Sequence, residues 1–185
     1  CIEQAAIALS DINLIAVCNG PGSFIGVRTG LTVAKTLAFA LDIPVIGVSS
    51  LAALAQSYYA ASGCDDVYIC MDARMRAAYC GHYKLAGHIM EPASEDSVLS
   101  IADVIKELDN SPKNLTIIGN ARAAYEQLQQ ISQQWGNCNA ASAEAIATLA
   151  LEYYKTKQNI MNSDCKANYV RNKVAQTKQE RGLNG

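Results

Sequence analysis

Two short stretches of this 185-residue chain place polar and glycine residues where chemistry could occur. Gly20-Pro21-Gly22-Ser23-Phe24-Ile25-Gly26-Val27-Arg28 reads as a tight turn feeding a helix N-terminus. Free N–H groups and the helix dipole at such a point can hold an anion. The plainer alternative is a capped strand-to-helix turn with no ligand. The Gly-Lys-Ser/Thr ending of a Walker A loop is absent, and Gly22-Ser23-Phe24-Ile25-Gly26 sets its serine one place early for a nucleophile elbow. Asp72-Ala73-Arg74-Met75-Arg76 lies where one strand ends and the next begins. It is either a turn with a solvated ion pair or a polar site facing a cleft. The residues offered to an anion or nucleotide are therefore Gly20, Gly22, Ser23, Asp72 and Arg74.

Metal and nucleophile chemistry find less support. His82 and His88 stand too far apart for a ligand pair on one helix face and lack an adjacent acid set. The seven cysteines, at 1, 18, 64, 70, 80, 138 and 165, contain no C-x-x-C pair. An odd, unpatterned set reads as reduced thiols of a cytosol. No Ser-His-Asp or Cys-His arrangement can be assembled, so no catalytic residue and no metal ligand is assigned.

The elements that would position these residues alternate. Leu14–Cys18 is a buried strand ending at Asn19-Gly20-Pro21-Gly22, where Pro21 presets φ and Gly22 permits a positive φ. Ser23 caps a helix from Phe24 to Leu41, with apolar residues at Val27, Leu31, Ala34, Leu37, Ala38 and Leu41, closed by Asp42 and Pro44. Pro44–Val48 is a second strand, and Ser49 or Ser50 caps a helix to about Tyr59. Strand–helix–strand–helix order favours a parallel sheet with crossover helices. After a break at Ser62-Gly63-Cys64-Asp65, strands at Val67–Met71, Met75–Leu85 and Ile89-Met90 form a meander. Helix Ile101–Leu108, strand Leu115–Ile118, helix Ala121–Ile131 and a long helix capped by Ser142 complete the pattern. A boundary between two α/β units falls near residues 57–65. Gly26 and Gly30 cost about 1 kcal/mol each against alanine in a helix, which points to close approach by a backbone of this fold or of a partner.

Half the residues are hydrophobic and 17% charged, as in a globular chain able to bury a core. The net charge of −2 and pI near 5.7 argue against a protein that coats nucleic acid by bulk charge. Lys166, Arg171, Lys173, Lys178 and Arg181 face one acid, Glu180, in residues 166–185. That basic tail is a solvated end or a weak tRNA contact. No apolar run approaches the roughly 18–20 residues of a membrane span, and the start, Cys1-Ile2-Glu3-Gln4, is neither Met nor a secretory signal.

Gly20–Arg28 followed by Thr29-Gly30-Leu31-Thr32-Val33-Ala34-Lys35 closely resembles the GPGSFTGxRxGxxxAK signature of the TsaB (YeaZ) proteins. Ile43–Leu51, Asp72-Ala73-Arg74-Met75 and Tyr169-Val170-Arg171-Asn172 are similar to family segments in the same order, so the resemblance covers nearly the whole chain. It implies an α/β, actin-like ATPase (ASKHA, RNase H-like) fold of two lobes. Residues 1–60 would be the first lobe, incomplete in this chain, residues 61–165 the second, and 166–185 a basic C-terminal tail. Family members open with a β-meander bearing an Asp-Thr strand and a helix, roughly 45 residues by element lengths. Without them the first lobe is expected to carry an open sheet edge and a bare apolar face. Ile25 stands where the family usually has threonine.

The function that the resemblance implies is a cytoplasmic, non-catalytic scaffold subunit. It would pair with the catalytic paralogue TsaD, assisted by the ATPase TsaE, in putting threonylcarbamoyl from the TsaC product threonylcarbamoyl-AMP onto N6 of tRNA adenosine 37. Expected with it are a homodimer in isolation, no membrane, tRNA met through the complex, and no cofactor on this chain, with ATP or ADP in the assembled complex. Phe24, Gly26, Val27, Arg28, Gly30, Leu31 and Lys35 of the signature helix would meet the partner. The rival is an actin-like nucleotide-binding enzyme, an ATPase or small-molecule kinase, with phosphate at Gly20–Ser23.

Overall fold

The computed structural model describes residues 2–156 and 165–170. Its elements in order are α1 (Ile2–Ala5), β1 (Ile15–Gly20), α2 (Phe24–Leu41), β2 (Val45–Ser49), α3 (Ser50–Ser62), β3 (Asp66–Asp72), β4 (Ala77–Ala86), β5 (Ile89–Pro92), β6 (Ser97–Ser100), α4 (Ile101–Asp109), β7 (Thr116–Ile118), α5 (Ala121–Ala124), β8 (Trp135–Gly136) and α6 (Ala143–Thr156). Single 3-10 turns sit at Leu9–Asp11 and Glu126–Gln130.

Side-chain alternation along the strands dictates the layering. On β2, Val45 faces one way, into a cluster with Leu31, Ala34 and Ala38 of α2, while Ile46 and Val48 face the other. On β3, Val67 and Ile69 join Ile46 and Val48, whereas Tyr68 and Cys70 point to the opposite face with Val104 and Leu108 of α4. On β7, Ile118 and Ile117 divide in the same way. Period-2 strands buried on both faces need helices on both sides. The result is five layers: α2, the parallel β1–β2 pair, the α3–α6 pair, a six-stranded sheet, and α4 with α5. Leu54, Ala55, Leu149 and Ala150 of α3 and α6 lie in one core with strands of both sheets, so apolar packing runs across the boundary at residues 57–65.

The large sheet has the order β5-β4-β3-β7-β8, with β6 also on β4. β3, β4 and β5 form the expected antiparallel meander, and β7 joins β3 in parallel, followed by β8. Caps follow the sequence: Ser23, Ser49 and Ser100 each accept a backbone N–H of the first turn of their helices. Asp42 and Gly63 end α2 and α3 in the left-handed region.

Several expectations are corrected. The helix over Ala121–Ile131 breaks after Ala124, because Tyr125 is extended and its hydroxyl is drawn to Asp72 Oδ1 at 2.7 Å. Strands β6 and β8 are short, polar or Gly-containing runs with no apolar alternation to announce them. Helix α2 spans 18 residues at a mean hydropathy of 1.3 with 17% buried, long and apolar enough by length and composition to cross a membrane, although no such run is expected. Its inner face is committed to β1 and β2.

The C-terminal segment also departs from expectation. Cys165 is 4% exposed in the α2–β2 cluster, with Ala167 packed beside it. Residues 165–170 are thus a strap on the first sheet rather than a solvated end. The other four basic residues of the expected tail, Arg171, Lys173, Lys178 and Arg181, lie outside the described residues.

Candidate functional site

The turn after β1 is held by that strap. The Asn168 N–H donates to the Asn19 carbonyl at 2.7 Å, and Asn19 Nδ2 donates to the Lys166 carbonyl at 3.0 Å. The Gly20–Pro21 peptide is cis, and the positive φ falls on Gly20, at +105°, rather than on Gly22. A Cβ at Gly20 would lie 2.9 Å from the Asn168 carbonyl oxygen, closer than side chains tolerate. Ser23 Oγ accepts the Gly26 N–H, and its carbonyl accepts the Val27 N–H at 2.9 Å. This geometry favours the capped turn, packed against its own chain, over a phosphate cradle. The Ile25 side chain, 75% exposed, adds no polar group there.

Asp72 and Arg74 meet at the end of β3. The Asp72 side chain is 7% exposed and fully engaged. Its Oδ1 accepts from the Tyr125 hydroxyl and from the Arg74 N–H at 2.8 Å, and Oδ2 lies 3.2 Å from Arg74 Nη1. Its N–H donates to Asn120 Oδ1 at 2.8 Å. Burial, then the Asp72 carboxylate, push the Tyr125 phenol up to about 12. Arg74, Met75 and Arg76 follow with φ of +62°, +55° and +55°, three successive left-handed non-glycine residues. Among the described residues no hydrogen bond or ion pair joins this group to Gly20, Gly22 and Ser23.

A second carboxylate bridges the sheets. Asp96 Oδ2 accepts from Ser49 Oγ at 2.9 Å, and Oδ1 accepts from the Tyr83 hydroxyl at 2.7 Å. Burial raises the Asp96 carboxyl above its usual range, against the two hydrogen bonds. Among the described residues no group of three or more His, Cys, Asp and Glu could hold a metal ion. His82 pairs with Asp66, and His88 with Glu152.

The most exposed apolar surface is the outer arc of α2. Phe39 is 87% exposed, Ile25 75%, Val33 54% and Leu37 43%. Of the helix residues expected at a partner, Leu31 is buried and Val27 packs inward, because the Val27–Leu31–Ala34–Ala38 stripe faces β2 and Cys165. Gly30 faces Val17 of β1, so its close approach is internal, while Gly26 is exposed. Lys35 is half-buried near Cys165. Arg28 stays on the surface, stacked 3.7 Å from the Phe24 ring centre. Ile25, Val33 and Phe39 were legible only as the apolar residues left off the inner stripe.

The family model TsaD, tRNA N6-adenosine threonylcarbamoyltransferase, matches residues 1–184. The tRNA threonylcarbamoyladenosine biosynthesis protein TsaB of Bacillus subtilis is 34% identical over 127 residues, 69% of this chain and 55% of that protein. The Haemophilus influenzae protein of the same name is 29% identical over 181 residues, 94% of this chain and 76% of its own. The chain thus spans little over half the length of the first of these relatives. Among solved structures, a Pseudomonas aeruginosa protein described as similar to peptidase YEAZ superposes with a TM-score of 0.82 at 32% identity. The alignment covers 92% of this chain and 79% of that one.

Proposed function

The chain belongs to the TsaD family, in its TsaB (YeaZ) branch of tRNA threonylcarbamoyladenosine biosynthesis proteins, and from that premise we propose that it is a non-catalytic subunit that pairs with TsaD through the outer arc of α2. The observation that carries this reading is the row of Ile25, Val33 and Phe39, flanked by Leu37, which no described residue covers, on an 18-residue helix whose other face is anchored. Covering one large apolar side chain stabilises a complex by about 1.5–3 kcal/mol, so such a row is a candidate hot-spot cluster. The strap supports the assignment, since it packs the turn a phosphate-binding enzyme would keep open and fixes Arg28 beside the arc. TsaE, a homodimer formed in isolation, ATP or ADP in the complex and a cytoplasmic setting complete the proposed picture.

The test is reconstitution with TsaD from the same organism, TsaE, tRNA and threonylcarbamoyl-AMP. Transfer to tRNA is expected to require TsaD and to rise when this chain is added. Transfer by this chain without TsaD, or no stimulation by it, would overturn the proposal.

A further inference from the structure

A groove of about 580 Å³ opens at the carboxyl ends of β7 and β8, on the far side of the fold's second sheet from β5. The carboxyl ends of adjacent parallel strands are where α/β folds offer backbone and loops to ligands. Its floor is Gly119 and Gly136, the residues that follow and pair with Ile118. A Cβ at Gly119 would lie 2.3 Å from the Cys70 carbonyl oxygen, and one at Gly136 would strike the Tyr58 ring at 2.5 Å. Both positions exclude side chains because a Cβ there would point into the fold, at β3 and α3, rather than into the groove.

The walls carry one kind of chemistry. Arg122 places its guanidinium 5.5 Å from the centre of the Trp135 ring. Asn120, Asn137 and Asn139 supply carboxamides around them. Asn120 has its Oδ1 committed to the Asp72 N–H. One cation, one aromatic–guanidinium platform and several amides match the way proteins hold an unstacked base and its phosphate.

We propose that this groove binds a single unstacked ribonucleotide, either a free nucleoside monophosphate or an unpaired residue of an RNA strand. The Arg122–Trp135 pair is the stacking platform, Arg122 neutralises the phosphate, and the Asn120 and Asn137 side chains meet the base edge, the Asn139 amide being turned to the Cys138 and Gly119 carbonyls. The RNA source rests on the proposed role in tRNA modification; the groove chemistry does not. With a net charge of −2 the chain gains little from bulk attraction, so binding is local to this groove.

Trp135 is the only tryptophan in the chain, so its fluorescence reports on the groove directly. The whole chain is titrated with AMP in one arm and with unmodified tRNA in the other, without TsaD. Saturable quenching is expected, and Arg122→Ala, at an exposed position, is expected to weaken it at least tenfold with the far-UV spectrum unchanged. Asn137→Asp, which sets a negative charge against the phosphate, is expected to act in the same direction. The affinity for AMP should fall as salt rises, because added ions screen the Arg122–phosphate attraction. Quenching by tRNA alone assigns the RNA source, and quenching by AMP assigns the free nucleotide; either supports the site. Absence of quenching by both at millimolar AMP and micromolar tRNA, or equal affinities for the parent chain and Arg122→Ala, would overturn it. Because TsaD is absent from the titration, this result is independent of whether the pairing proposal stands.

Discussion

Arg28 of α2 donates its Nε–H to the Tyr169 hydroxyl at 2.9 Å, across 141 positions of sequence. The contact ties the strap to the first turns of the helix whose outer arc is the proposed docking face. The same guanidinium lies over Phe24, so the strap and the helix entry share one cation. Tyr169→Phe removes the acceptor while keeping the ring. Net hydrogen bonds to charged groups contribute about 1.5–3 kcal/mol at most, less at an exposed site. A three- to tenfold loss of affinity for TsaD is expected by calorimetry, with little change in Tm. An unchanged affinity would uncouple strap from arc.

Phe39→Asp and Val33→Asp place charges on exposed positions of α2. Neither side chain is part of the core, so each variant should fold and keep its melting cooperativity. Each is expected to weaken pairing with TsaD more than tenfold, measurable by analytical size exclusion at micromolar concentrations. Leu31→Asp is the contrasting case: it sits in the α2–β2 cluster at 7% exposure and should unfold the first sheet instead.

Asp96 gives a pH signature. Its folded carboxyl titrates above the unfolded value, so its neutral form is favoured in the fold and ionisation there costs stability as pH rises through the folded value. Asp96→Asn removes that titration. The stability of the parent chain relative to Asp96→Asn should therefore rise as pH falls from 7 toward 4, by denaturant melts at each pH. A difference independent of pH would show that burial is not what governs this carboxyl.

Tyr125 gives the alkaline counterpart. Its phenol titrates near 12 in the fold and near 10 when unfolded, so its contribution is complete below pH 10 and is lost progressively between 10 and 12. Tyr125→Phe should abolish that part of the alkaline slope. It also leaves Asp72 without one donor at 7% side-chain exposure, at a cost of about 1–3 kcal/mol.

Much of the scaffold was legible because burial is periodic. The Phe24–Leu41 helix has the bounds that its apolar spacing and Ser23 cap indicate, and strands β1, β2 and β3 follow their apolar runs to within two residues. What escaped was set by contacts distant in sequence. Tyr125 leaves the helical path for Asp72, and β8 exists only because β7 offers it an edge. The strap cannot be read locally either, since its hydrogen bonds run to Asn19, 147 residues away. At the site, the signature showed which helix matters, but the side facing solvent follows from where β2 and Cys165 lie.

The most direct test is calorimetric titration of this chain against TsaD from the same organism, run in parallel with Phe39→Asp. The account predicts saturable one-to-one binding for the parent chain and its loss in the variant. Absence of binding by the parent chain, or equal binding by both, would contradict the central claim that the outer arc of α2 holds TsaD.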